Sequence, residues 1–174
     1  MNLTADLIPM RVVVPGGAVV VANTYYGDGS TTWVKGDLCR VNTSGRVVNS
    51  ATDSDTTYPI KGMLLETWAT APTTSQFVKI LQFASDTVLE TQVYAAAAAD
   101  AQPQDVTVGV SYTLRDGGSG KWSITTTTTK GIATVVAKPG DAKWFDDYSG
   151  VQADDQYGLV HIRFTAAQID GFSA

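Results

Sequence analysis

The residues able to do chemistry in this chain are few. His161 is its only histidine, and it stands in the strand-like run "LVHIRF", on the face it shares with Leu159 and Arg163. That setting points to a solvent-facing or interface residue rather than a general base. The stretch "DAKWFDDYSGVQADDQY" gathers Asp141, Asp146, Asp147, Asp154 and Asp155, enough carboxylate oxygen for a calcium ion. It lacks the Asp-x-Asp-x-Asp-Gly spacing that fixes such ligands in one loop, so the expectation is a solvated surface loop and no metal. Cys39 is the single cysteine, which excludes an intrachain disulfide and a cysteine-rich metal site. Its place in Leu38-Cys39-Arg40-Val41 is that of a small, buried strand side chain.

The remaining motifs are equally sparing. No Gly-x-Ser-x-Gly elbow occurs. The Gly-rich "DGGSG" at Asp116 to Gly120 lacks both the Lys-Ser/Thr ending and the helix that phosphate cradling needs, so it is expected to be a hairpin turn. The chain offers an enzyme no evident catalytic set, and no cofactor is expected. The acceptor patterns Asn2-Leu3-Thr4 and Asn42-Thr43-Ser44 carry no weight without a secretion signal.

The elements that would position these residues are strands. Fifteen of the 17 acidic residues are Asp, leaving only Glu66 and Glu90, so the acidic charge favours turns over helix interiors. Threonine is abundant, including the block Thr125 to Thr129, and β-branched side chains suit pleated strands. "FVKILQF" alternates with two largely apolar faces, and "LVHIRF" puts Val160, Ile162 and Phe164 on one face. Only "YAAAAADAQPQD", Tyr94 to Asp105, has helical character, and Pro103 ends it.

One device occurs twice. "KGDLCRVNTSGRVVNS" and "VGVSYTLRDGGSGKWSIT" each open on a Gly, turn through Ser-Gly-basic (Ser44-Gly45-Arg46 and Ser119-Gly120-Lys121) and return in a β-type run. After each comes a Lys-Gly pair, Lys61-Gly62 or Lys130-Gly131, then an alternating strand ending in Phe83 or Phe164. The reading is an all-β protein of two small barrel or sandwich modules, 12–93 and 105–174. An arm, 1–11, precedes them, an Ala-rich link, 94–104, joins them, and an acidic loop, 139–157, is inserted in the second.

With 174 residues and 44% hydrophobic composition the chain can bury a real core. Its formal net charge of −5 argues against nucleic acid or an anionic membrane as partner. No apolar run approaches the roughly 20 residues of a membrane span. "MNLTADLIPMRVVV" does not have a signal peptide's basic start and apolar block, so folding in the cytoplasm is expected.

The string "GDLCRVNTSGRVVNS…PIKGMLLET…FVKILQF", preceded by "VVVPGGAVVVAN", resembles the head decoration, or cement, proteins of tailed bacteriophages. The likeness lies in a valine-rich first strand, a Gly-Asp hairpin, a Gly-led strand and a Val-Lys-Ile strand. It covers about Val12 to Phe83, while the second module follows more loosely and departs from the pattern at 139–157. The resemblance implies a virion protein on the capsid exterior that bridges neighbouring major capsid subunits. Self-association is expected as well, as a trimer in preference to a dimer.

For gripping partners the sequence offers Leu3, Leu7, Ile8 and Met10 in the arm and Trp144, Phe145 and Tyr148 in the acidic loop. Two rival readings stand beside this one. A sugar- or host-binding module would use Tyr25, Tyr26, Trp144 and Phe145 as stacking platforms, and a small hydrolase would use Asp146 and Asp147.

Overall fold

Pairs of short, β-branched runs separated by Gly, Asn and Asp turns fold as antiparallel ladders. The computed structural model describes residues 9–14, 16–30, 32–49, 60–97, 100–141 and 152–164. It is essentially all-β, with two sheets that form a sandwich and do not close into a barrel.

The strands in chain order are β1 (Arg11–Val14), β2 (Val19–Val21), β3 (Leu38–Val41), β4 (Val47–Asn49), β5 (Ile60–Leu64) and β6 (Ile80–Gln82). Then follow β7 (Val88–Tyr94), β8 (Ser111–Tyr112), β9 (Leu114–Asp116), β10 (Trp122–Thr125), β11 (Ala133–Ala137) and β12 (Leu159–Phe164). The larger sheet runs β8-β11-β12-β7-β10-β9, with β1 also on β7, and the smaller runs β2-β6-β5-β3-β4. The pairing of β10 with β7 is parallel.

These sheets cut the chain differently from the expected modules. β1 and β7, which belong to the first module by sequence, lie in the larger sheet with every described strand of the second. β7 is its centre: Leu89 and Val93 are fully buried, and β12, β10 and β1 all bond to it. The stretch expected to link the modules begins inside this strand, because Tyr94 is its last residue. Beyond it lies a single 3-10 turn, Pro103–Asp105, whose Asp105 carboxylate accepts the Gln102 N–H at 2.9 Å.

Two cores result. One lies between the sheets and joins Leu38, Met63 and Phe83 from the smaller sheet and its flank to Leu89, Val135, Val160 and Ile162 of the larger. The other lies under the far face of the smaller sheet, where Trp33 and Val78 from the loops cover Cys39, Leu64 and Ile80. Phe83 and Phe164, the ends of the two repeated patterns, stack across the first core at 5.8 Å.

The two Ser-Gly-basic turns both form hairpins, β3–β4 and β9–β10. In the first the Asn42 side chain accepts the N–H groups of Ser44 and Arg46, and in the second Asp116 accepts that of Gly118. Their surroundings differ. Gly120, at φ +74°, packs its backbone on Lys35 and Gly36, so the second hairpin's turn seats on the turn that opens the first.

Asp37, buried beside this seam, accepts the Val34 N–H at 3.1 Å and the Asn49 amide at 3.0 Å. Burial pushes its carboxyl above the ordinary value, against the hydrogen bonds it accepts.

Cys39 is fully buried, as its strand position implies, and burial pushes its thiol far up. We predict negligible reaction with a water-soluble disulfide reagent in the native protein and one equivalent of thiol on unfolding. Rapid native labelling would contradict that placement.

Candidate functional site

The face of the larger sheet that turns away from the core is polar, yet much of it is buried. Alternation puts Glu90 and Gln92 of β7 on this face, and the register sets Glu90 opposite both His161 of β12 and Arg11 of β1. The Arg11 Nε donates to Glu90 Oε1 at 2.5 Å, and His161 Nε2 lies 3.5 Å from Oε2. Glu90 and His161 side chains are 2% and 1% exposed, so this cluster is dry on two of its three sides, whereas Arg11 is 36% exposed.

Burial alone would raise the Glu90 carboxyl. The hydrogen bonds and positive charge of His161 and Arg11 outweigh it and hold the carboxyl below its ordinary value.

The solvent-facing reading of His161 is therefore corrected: the residue is buried and faces an acid. Of the two polar residues on its strand, His161 faces Glu90 while Arg163 is exposed to solvent. No local signal in "LVHIRF" carries this. Glu90 lies 71 positions before His161, and only the pairing of β7 with β12 brings them together.

Beside this cluster opens a groove of about 570 Å³, with Val14, Val88, Val108 and Val136 in its walls and His161 and Arg163 among its polar lining. Thr134 also lines it, and its hydroxyl is shared with Ser111 at 2.8 Å. A His–Glu pair is half of a base-and-orienter arrangement; here Nε2 is the nitrogen turned to Glu90, and among the described lining residues Thr134 carries the one hydroxyl.

The smaller sheet presents another surface. β2 is an edge strand, with Val19 and Val20 53% and 59% exposed. Near the opposite edge, where Gly27 bridges Val47 of β4, the rings of Tyr26 and Phe77 stack at 4.3 Å, and both are exposed.

The residues read from the sequence as gripping partners divide clearly. Leu3, Leu7, Ile8, Trp144, Phe145 and Tyr148 lie outside the described residues, as do Asp146 and Asp147. Met10 is corrected: it is 3% exposed, packed in this chain's own core, and not free for a neighbour. Its alternation with Arg11 turns it inward on β1's flank, where apolar burial stabilises it.

In the acidic loop, Asp141 and Asp155 each accept the N–H of the residue three before them, Lys138 and Gln152. They fasten turns. Among the described residues no three acidic, His or Cys side chains converge as metal ligands would, and no helix is long and apolar enough to cross a membrane.

Comparison with known proteins adds no relative: no family model, curated protein or solved structure matches the chain.

Proposed function

We propose that the protein is a structural protein that binds the outside of a tailed-phage capsid and stabilises it by bridging neighbouring major capsid subunits. The observation that carries this reading is the open edge of the smaller sheet. Among the described residues β2 has a strand partner, β6, on one side only, and it exposes Val19 and Val20. An apolar edge of this kind is a ready template for another chain. The sequence resemblance over Val12 to Phe83 supports the same reading, and so does the sandwich itself, which is a rigid platform for contacts. The protein acts by binding rather than catalysis, without a cofactor, and associates with itself on the capsid as a trimer.

The direct test mixes purified protein with expanded and unexpanded capsids and measures decoration by co-sedimentation. Saturable binding to one form is expected, and Val20→Lys should weaken it tenfold or more, equivalent to about 1.4 kcal/mol. The substitution is at an exposed position and should leave the fold within about 0.5 kcal/mol of wild type. Failure to decorate either form would end this reading.

A second reading rests on Tyr26 and Phe77. An exposed aromatic pair can stack on a sugar, as a host-binding fibre module does. Binding on a glycan array that is lost in Tyr26→Ala would favour it.

A further inference from the structure

The groove beside Glu90 and His161 has walls of valine and one solvent-exposed cation, Arg163. Among the described residues Arg163 has no ion-pair partner, whereas Arg11 and His161 are both turned to Glu90. In a chain of formal net charge −5 this is an apolar slot with unspent positive charge, and it suits an apolar segment that carries an acid. Residues 1–8, "MNLTADLI", have that composition: Leu3, Leu7 and Ile8, with Asp6 as their only charged side chain.

The register carries the chain before Arg11 away from the groove. β1 runs antiparallel to β7 with Arg11 opposite Glu90 and Val14 opposite Val88, so the chain before Arg11 heads towards Thr91 and away from the groove's Val88 end. From Gln92 onward the same edge of β7 is taken by β10, and Met10 is held in the core on the opposite face. Eight extended residues span up to roughly 28 Å, enough to cross to a neighbouring molecule.

We propose that residues 1–8 of one copy lie in the groove of a second copy, with Leu3, Leu7 and Ile8 against Val14, Val88, Val108 and Val136, and Asp6 paired with Arg163. The exchange is reciprocal or cyclic, and it joins copies through segments rather than through broad faces. It rests on the reading of the protein as a self-associating capsid-binding protein, but it concerns only the contact between copies.

The test is a charge exchange in the full chain, read by sedimentation equilibrium. Arg163→Glu and Asp6→Lys, made singly, should each weaken self-association tenfold or more, and the double variant should recover most of that loss. Circular dichroism should show the same β fold throughout, because Arg163 is at the surface. Leu7→Asp should weaken association with no recovery from either charge variant.

Unchanged association in Arg163→Glu would overturn the proposal. A monomer at all concentrations whose melting temperature responds to the charge exchange would overturn it too, by showing the segment docked within its own chain. Capsid co-sedimentation of the same variants keeps the two readings apart. Loss of self-association with the charge pattern above supports the groove contact even where no capsid is decorated. Decoration with no such pattern leaves the capsid reading standing and removes this one.

Discussion

Gly120→Ala should destabilise the protein by about 3 kcal/mol or more, while the same change at Gly45, its counterpart in the other hairpin, should cost only about 1–2 kcal/mol. Both glycines have positive φ, +74° and +71°, so each substitution carries the strain of a left-handed backbone. The difference lies in what a new methyl meets. At Gly45 nothing stands within 4 Å. At Gly120 the methyl would sit 2.3 Å from the Lys35 carbonyl oxygen and 3.2 Å from the Gly36 Cα, all backbone atoms that no rotamer change can move aside. Relief requires the β9–β10 hairpin to lift off the smaller sheet, and the neighbouring buried Asp37 would then lose its ordered surroundings. For a chain of this length each kcal/mol shifts the melting temperature by about 2–4 °C, so the two variants should separate clearly in a thermal scan. Equal losses would mean that the seam between the hairpins does not bear on stability.

The same pair of turns shows how far the sequence could be read. The hairpins themselves were legible, because Asn42 and Asp116 bond locally to the backbone of their own turns and Gly occupies the left-handed positions. The all-β class was legible for a similar reason, since side-chain branching and turn residues act within a few positions. What joins the hairpins was not. The order of parts repeats, and across the two repeated pieces Gly120 rests on Gly36 and Phe83 stacks on Phe164. The Lys-Gly pairs do have a shared role: a Cβ on Gly62 or Gly131 would strike the carbonyl oxygen of Leu81 or Ser111. Spacing along the chain carries no information on which strand lies across such a gap.

The polar cluster was hidden by the same limit. Glu90 stood out in the sequence as one of two Glu in an acidic chain otherwise built on Asp, and His161 as the single histidine. Neither residue's surroundings specify the other, and alternation alone left the His161 face to solvent or to an interface. Burial of that face depends on a partner 71 positions away. The groove, similarly, is lined by residues of β1, β7, β11 and β12 and of the loop at Val108 and Gly109, which adjoin only once β7 sits at the centre of its sheet.

Glu90→Gln should lower the unfolding free energy at neutral pH by on the order of 3 kcal/mol, at the low end of what removing one partner of a buried ion pair costs, because Arg11 is partly in water. The amide keeps the shape but leaves a guanidinium beside a group that no longer balances its charge. The pH dependence gives the second half of the test. In the folded protein the Glu90 carboxyl lies below its ordinary value, so the folded state holds this proton less tightly than the unfolded chain does. Its contribution is therefore complete above the ordinary carboxyl range and disappears as the pH falls through the lowered folded value. Denaturant midpoints of wild type and Glu90→Gln should differ most near pH 7 and draw together as the pH falls through the lowered folded value, where the wild-type carboxyl becomes protonated. The double change Arg11→Leu with Glu90→Leu should restore most of the loss, since what costs energy is an unbalanced charge rather than the absence of a pair. A gap between wild type and Glu90→Gln that stays constant as the pH falls from 7 through the whole carboxyl range and below it would show that Glu90 acts through packing and not through its charge.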